Sequence, residues 1–175
     1  VLGSRGSVVP LFFDYIRKGL PIPITHVGMT RFQLTLKEAV QLVLHATVKG
    51  ESGDLWVQKM PSARITDLGQ ALAFGMTGKS EYPIEVIGLR PGEKLHEVLV
   101  SEEEMWRATE LKQHFLIPSW AKSQTKHKST DAPLGEYTSG NARLLTREEI
   151  LKMLESDGWF GPNALAKAIH GVEIN

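Results

Sequence analysis

Apolar positions along this chain follow a helical period in some stretches and form short runs in others. Between 36 and 48 they recur as Leu36, Ala39, Val40, Val43 and Leu44, the i, i+3, i+4, i+7, i+8 spacing of one helical face. Thr35 and Glu38 sit ahead of it at capping-box spacing, so a helix is predicted from Leu36 with that stripe buried. The stretch SVVPLFFDYIRK (7–18) predicts another helix, with Ser7 as cap, Pro10 in the first turn and Gly19 as the stop. A third runs from Ile65 to Phe74, with Ile65, Leu68 and Leu72 inward. A fourth opens on the capping box Thr146-x-x-Glu149, where Leu145 and Ile150 occupy staple positions, and runs to about Ser156. A short helix is expected after Pro162.

The remaining apolar runs are short and read as strands. LPIPITH is an extended segment whose prolines suit an edge. GDLWVQKM (53–60) and PIEVIG (83–88) flank the third helix, and strand-helix-strand at this spacing suggests a parallel α/β unit. Residues 1–6 are rich in Gly and Ser and read as a loop. Residues 119–133 are polar, basic and aperiodic, and read as a loop or linker. Three regions follow: an α/β region over 1–118, a polar linker over 119–133 and a helical extension over 134–175.

Composition narrows the chemistry. Twenty basic and twenty acidic residues cancel over 175 positions, so no global field recruits nucleic acid or an anionic membrane, and an anion site must be local. No apolar run is long enough to span a bilayer. The absence of cysteine removes disulfides and thiolate metal sites and fits a reducing, cytoplasmic setting. The six histidines are scattered without ligand spacing, so no metal site is expected. GSRG has two glycines, where a dinucleotide fingerprint needs three between a strand and a helix. Tyr15 is followed by Lys18 three residues on, not four, so the Tyr/Lys proton-transfer pair of short-chain dehydrogenases is missing.

Two arginines stand out. Arg31 lies in MTRF just before a capped helix, and Arg90 opens RPGEKLHE after a strand. A forked guanidinium held by secondary structure suits phosphate oxygens, and two of them suit a pyrophosphate. Glu93 is placed to accept from a sugar diol. The ordinary alternative is that Arg31 pairs with a nearby Glu and that Glu93 belongs to a solvated helix start.

Four segments, GSRGSVVPLF, MTRFQLTLKEAVQLVL, GDLWVQKMPSARITDLGQAL and IGLRPGEKLHEVLVSEEE, resemble in order and spacing the C-terminal half of the UDP-N-acetylglucosamine 4,6-dehydratases. These are polysaccharide-biosynthesis members of the extended short-chain dehydrogenase/reductase superfamily. The tail EYTSGNARLLTREEILKMLE resembles the extra segment of the subgroup that also epimerises at C5. The resemblance implies an α/β fold: the substrate-binding half of an extended short-chain dehydrogenase, without its N-terminal Rossmann half, followed by a small helical extension. It implies that Arg31 and Arg90 contact the UDP phosphates, that Glu93 meets the uridine ribose, and that the backbone around Ser7 and Val8 lines the uracil pocket. Roles for Lys94 and His96 stay open between local pairing and packing. The family oxidises the sugar at C4 with NAD(P), eliminates water across C5–C6 and returns hydride to C6. Those catalytic groups belong to the family's other half, so this chain is expected to carry no catalytic residue and to bind no NAD(P) itself. A start on VLGSRGSVVP rather than Met fits a fragment or processed chain. Two alternatives remain: a non-catalytic oligomeric binding or assembly module, and the substrate half of a UDP-sugar 4-epimerase. With apolar faces left without cover, a homo-oligomer is expected.

Overall fold

The computed structural model describes residues 7–120, 135–165 and 168. The loop expected at 1–6, and 121–133 of the expected linker, lie outside the described residues. The fold is α/β. Helix α1 (Val8–Arg17) leads to strand β1 (Ile22–Ile24), β2 (Thr30–Phe32) and α2 (Leu36–Lys49). Strands β3 (Leu55–Gln58) and β4 (Ser62–Arg64) precede α3 (Ile65–Thr77) and β5 (Ile84–Val86). Then come β6 (Val98–Val100), a single turn α4 (Glu102–Met105), β7 (Thr109–Glu110), β8 (His114–Ile117), β9 (Tyr137–Thr138) and α5 (Arg147–Ser156).

The helices form where the apolar period and the end signals agree. In α1, Val9, Phe12, Phe13 and Ile16 are buried on one face. It ends in a Schellman arrangement: Gly19, at φ 71°, donates its N–H to Ile16 O, and Leu20 donates to Tyr15 O. Ser7 takes the extended conformation of a cap, but its side chain makes no capping hydrogen bond. Both expected capping boxes are present, at Thr35/Glu38 and Thr146/Glu149. A third, Ser101/Glu104, starts α4. Helix α3 buries Ile65, Leu68 and Leu72 as expected and continues to Thr77, where Gly78 closes it at φ 71°.

One core gathers α1, β1, α3 and α5. Phe12, Ile22, Leu68, Leu72, Ile150, Leu154 and Trp159 are all fully or almost fully buried in it. The C-terminal segment is therefore structural: Ile150, Leu154, Trp159, Ala164 and Ala168 pack with residues from α1 and α3. Ala164 and Ala168 are helical, in the region where a short helix was expected. A second, smaller core of Val57, Val100, Met105, Ala108, Phe115 and Ile117 joins β3, β6, α4 and β8. No helix among the described residues is long and apolar enough to cross a membrane.

Three expectations need correction. The strands at 55–58 and 84–86 do not form a parallel unit. β3 pairs antiparallel with β8, and the parallel partner of β5 is β1, with Ile22 opposite Ile84. The strand HFLI just before Pro118 captures β3, leaving β5 to pair with the proline-bearing segment. Second, the apolar stripe of α2 is not buried. Leu36, Val40, Val43 and Leu44 are between 50% and 66% exposed, because no described element packs on that face. What α2 does touch is the β3–β8 pair, through His45, whose ring stacks on His114 at 4.7 Å and meets Trp56 edge-on at 4.8 Å. Third, no helix starts at Glu93. Residues 91–97 form turns and bends that lead into β6.

Two predictions follow from this packing. Leu154 is fully buried beside α3, so Leu154→Ala should cost about 2–5 kcal/mol in urea unfolding. A loss within noise would mean that the C-terminal segment is dispensable to the core. Burial, and then the neighbouring His45, lower the proton affinity of His114 below its ordinary 6.5. The unfolded chain therefore takes up that proton first on acidification, and stability should fall as pH drops through 6.5 toward the lowered value. Glu149, lowered by the Thr146 backbone N–H and by Arg143, acts only below its ordinary 4.5 and does not overlap this window. His114→Gln should flatten the stability slope between about pH 7 and 5. Parallel slopes for the two proteins would remove His114 from the account.

Candidate functional site

The stretch RPGEKLHE folds as a compact loop against β2. Pro91 and Gly92 form the centre of a tight turn closed by Glu93 N–H donating to Arg90 O at 3.0 Å. Gly92 has φ 81°, which a side-chain-bearing residue adopts only with strain, so Pro-Gly is the pairing that this turn needs. The Glu93 carboxylate folds back and accepts from Arg90 N–H at 3.2 Å.

Arg31 is brought to this loop by β2. Its NH1 donates to Thr30 O at 2.8 Å and to Leu95 O at 3.2 Å. Its Nε lies 3.4 Å from Glu97 Oε1, and its NH2 lies 3.9 Å from Glu93 Oε1. The Arg31 side chain as a whole is 21% exposed. NH1 and Nε are thus engaged, while NH2 stands beyond hydrogen-bond length from its carboxylate neighbour. Arg90 is exposed, and its side chain has no hydrogen-bond or ion-pair partner among the described residues. The loop and β2 together offer one anchored guanidinium with an open edge and a carboxylate near it, and an exposed Arg90 whose backbone N–H binds that same carboxylate.

The structure therefore brings Arg31 and Glu93 together and keeps Arg90 in the same turn as Glu93. The ordinary alternative holds in part, since Arg31 does sit among carboxylates. Ser7 and Val8 make no hydrogen bond or ion pair with this cluster. Val8 and Leu95 both pack against the main core, and Ser7 Oγ is buried without a hydrogen-bond partner among the described residues. Lys94 is exposed.

Sequence reasoning assigned no role to Glu97, Thr30 or Ser139, and left His96 undecided. His96 Nδ1 lies 2.8 Å from Thr30 Oγ1, and Thr30 Oγ1 lies 2.8 Å from Ser139 Oγ. Ser139 Oγ donates to Thr30 O at 3.1 Å and accepts from Glu97 N–H at 2.9 Å. Thr30 and Ser139 are buried. Gly140 lets the tail pass over the imidazole, since a Cβ there would fall 2.8 Å from the His96 ring. The signal for these residues is the tail motif YTSGN, which spacing alone does not link to a loop some forty positions away.

A groove of about 620 Å³ lies elsewhere, between the start of α2 and α5, with Gln33, Lys37, Arg143 and Lys152 on its walls. Arg143 is committed there to both oxygens of Glu149. Among the described residues, no three His, Asp or Glu side chains converge on a metal position. Among the described residues no junction matches a nicotinamide dinucleotide loop either: those at 33–35, at Arg64–Ile65 and at Ser101 carry no glycine, and the one between β9 and α5 carries a single one, Gly140, where the fingerprint needs three.

Comparison with known proteins gives the family. A family model described as polysaccharide biosynthesis protein matches residues 1–119. A UDP-glucose 4-epimerase of Rickettsia rickettsii is 41% identical over 160 residues, covering 88% of this chain and 46% of the relative. An uncharacterized membrane protein of Methanocaldococcus jannaschii is 39% identical over 160 residues, covering 89% and 46%. The X-ray structure of Pen from Bacillus thuringiensis superposes with a TM-score of 0.74 at 34% identity, over 89% of this chain and 46% of that one. The chain spans about half the length of the curated relatives it matches.

Proposed function

The chain belongs to the polysaccharide-biosynthesis protein family, and on that premise we propose that it forms the UDP-sugar-binding part of an NAD(P)-dependent enzyme acting on UDP-N-acetylglucosamine. The observation that carries the reading is Arg31 set beside Glu93, with Arg90 opening the same turn. The open NH2 edge of Arg31 and the free guanidinium of Arg90 take the diphosphate oxygens, where charge-assisted forked contacts are strongest. Glu93, turned back on its own loop, accepts from the ribose hydroxyls. The backbone at Ser7 and Val8 borders the uracil. The cofactor would be held by residues outside this chain.

The first reading of the reaction is 4,6-dehydration with epimerisation at C5, supported by the likeness of the tail EYTSGNARLL to that subgroup. A second reading, 4-epimerisation, is favoured by the 41% identity to a protein named UDP-glucose 4-epimerase. Mass spectrometry of the sugar nucleotide after incubation with the full-length parent separates them. Dehydration gives a product lighter by one water, and 4-epimerisation gives an isomer of unchanged mass.

Self-association belongs to the same proposal. The face of α2 carrying Leu36, Val40, Val43 and Leu44 is a continuous exposed stripe, and burying it against a second copy removes apolar surface from water. Sedimentation of this chain over a range of concentrations should show mass-action dimerisation, weakened by Val43→Glu. A compact monomer at every concentration contradicts it.

For the ligand site, Arg90→Ala should weaken UDP binding about tenfold or more in calorimetry, since charge-assisted contacts are worth roughly 1.5–3 kcal/mol each. Arg90→Lys should recover little, because an ammonium makes no forked contact. Glu93→Ala should weaken UDP and spare free pyrophosphate. Unchanged UDP affinity in the Arg90 and Glu93 variants would reduce RPGEKLHE to a structural turn.

A further inference from the structure

We infer that Ser139, carried in by the C-terminal segment, is a positioning residue for the nucleotide-binding loop, acting with Thr30 and His96 as a buried hydroxyl latch. This rests on the UDP reading of the loop.

The loop has few ties of its own. Its turn is closed locally at Arg90–Glu93, and its far end meets β2 through Thr30 N–H donating to Leu95 O at 3.1 Å. Beyond that point its register is set from the tail. Glu97 donates its N–H to Ser139 Oγ at 2.9 Å, and Ser139 donates its N–H to Glu97 O at 2.8 Å. A single residue thus grips both backbone groups of Glu97. The same hydroxyl donates to Thr30 O, the carbonyl that also accepts from Arg31 NH1. Ser139 therefore joins the residue after His96 to the residue before Arg31.

Burial makes this grip specific. Ser139 is 0% exposed and Thr30 is 4% exposed, so water cannot replace a lost partner. The proton count closes. With Ser139 Oγ–H on Thr30 O, Thr30 Oγ1–H donates to Ser139 Oγ and His96 Nδ1–H donates to Thr30 Oγ1; in the other arrangement Thr30 Oγ1–H donates to His96 Nδ1 and Ser139 Oγ–H turns from Thr30 O to Thr30 Oγ1. Both arrangements hold the imidazole in place, with Gly140 leaving room above it. Moving Glu97 would move the carboxylate beside Arg31 Nε and loosen the guanidinium whose NH2 edge is proposed to meet phosphate. Ser139 touches no ligand in this scheme and acts through Glu97 and Thr30.

The test uses the full-length protein that carries this sequence, with UDP as the probe, titrated by calorimetry. Hydrogen exchange is followed over 94–98 without ligand. Ser139→Ala, and the isosteric Thr30→Val, should speed exchange at 94–98 and weaken UDP about three- to tenfold. Exchange in α1 and α3 should stay as in wild type. Thr30→Ser keeps the hydroxyl and should bind close to wild type. Unchanged UDP affinity in Ser139→Ala and Thr30→Val, with Arg90→Ala still impaired, overturns the latch and leaves the UDP reading standing. Equal losses in Thr30→Ser and Thr30→Val, or faster exchange throughout the protein, also overturn it. Wild-type protein that ignores UDP overturns both the reading and the latch built on it.

Discussion

The burial of α3 is the contact on which the rest of this molecule hangs. Its Ile65, Leu68, Ala71 and Leu72 are covered by residues of α1, β1 and the C-terminal segment in one core. Among the described residues the strands are only two to four residues long and form four separate small sheets, so none has enough ladder to hold itself. What fixes them is attachment to a packed helix. β4 runs directly into α3, with Arg64 as its cap residue, and β2 pairs with β4 so that Arg31 stands opposite Ala63. Ile65 N–H also donates to Met29 O, just ahead of β2. The position of Arg31 is therefore inherited from α3 through one strand pair.

That inheritance explains how one arginine of a neutral protein is set against the RPGEKLHE loop. An arginine side chain that is about one-fifth exposed needs partners for its charge, and two backbone carbonyls and a near carboxylate supply them. The same contacts leave one edge of the fork uncommitted. The tail then closes the arrangement from the other side. β9 pairs with β6, Tyr137 packs against Phe32 and Phe115, and Ser139 reaches the loop. The main core, the second core and the candidate site are thus linked by one short segment of the C-terminal region.

The helices were legible because their signals are local. Capping boxes at Thr35/Glu38 and Thr146/Glu149 and the stop at Gly19 each involve residues a few positions apart, and all three formed. Strand pairing was not, since a three-residue strand carries too little alternation to reveal its partner, and β8 was missed altogether. The stripe on α2 was legible as apolar from its period, which reports what a face is made of, not what covers it; its exposure departs from the burial that the pattern alone suggests and agrees with the expectation of a face left without cover. At the site, Arg31 and Glu93 were picked out by residue type and by resemblance. Their approach across sixty positions, and the Ser139–Glu97 pairing, are tertiary facts that spacing does not encode.

The central claim is that the RPGEKLHE loop and Arg31 together hold a nucleotide diphosphate. Nitrogen-15 NMR of the arginine side chains reads this directly. Adding UDP should shift and sharpen the guanidinium signals of Arg31 and Arg90, while uridine, which has no phosphate, should leave both in place. Signals from Arg31 and Arg90 that do not respond to saturating UDP, or that respond equally to uridine, would contradict the account.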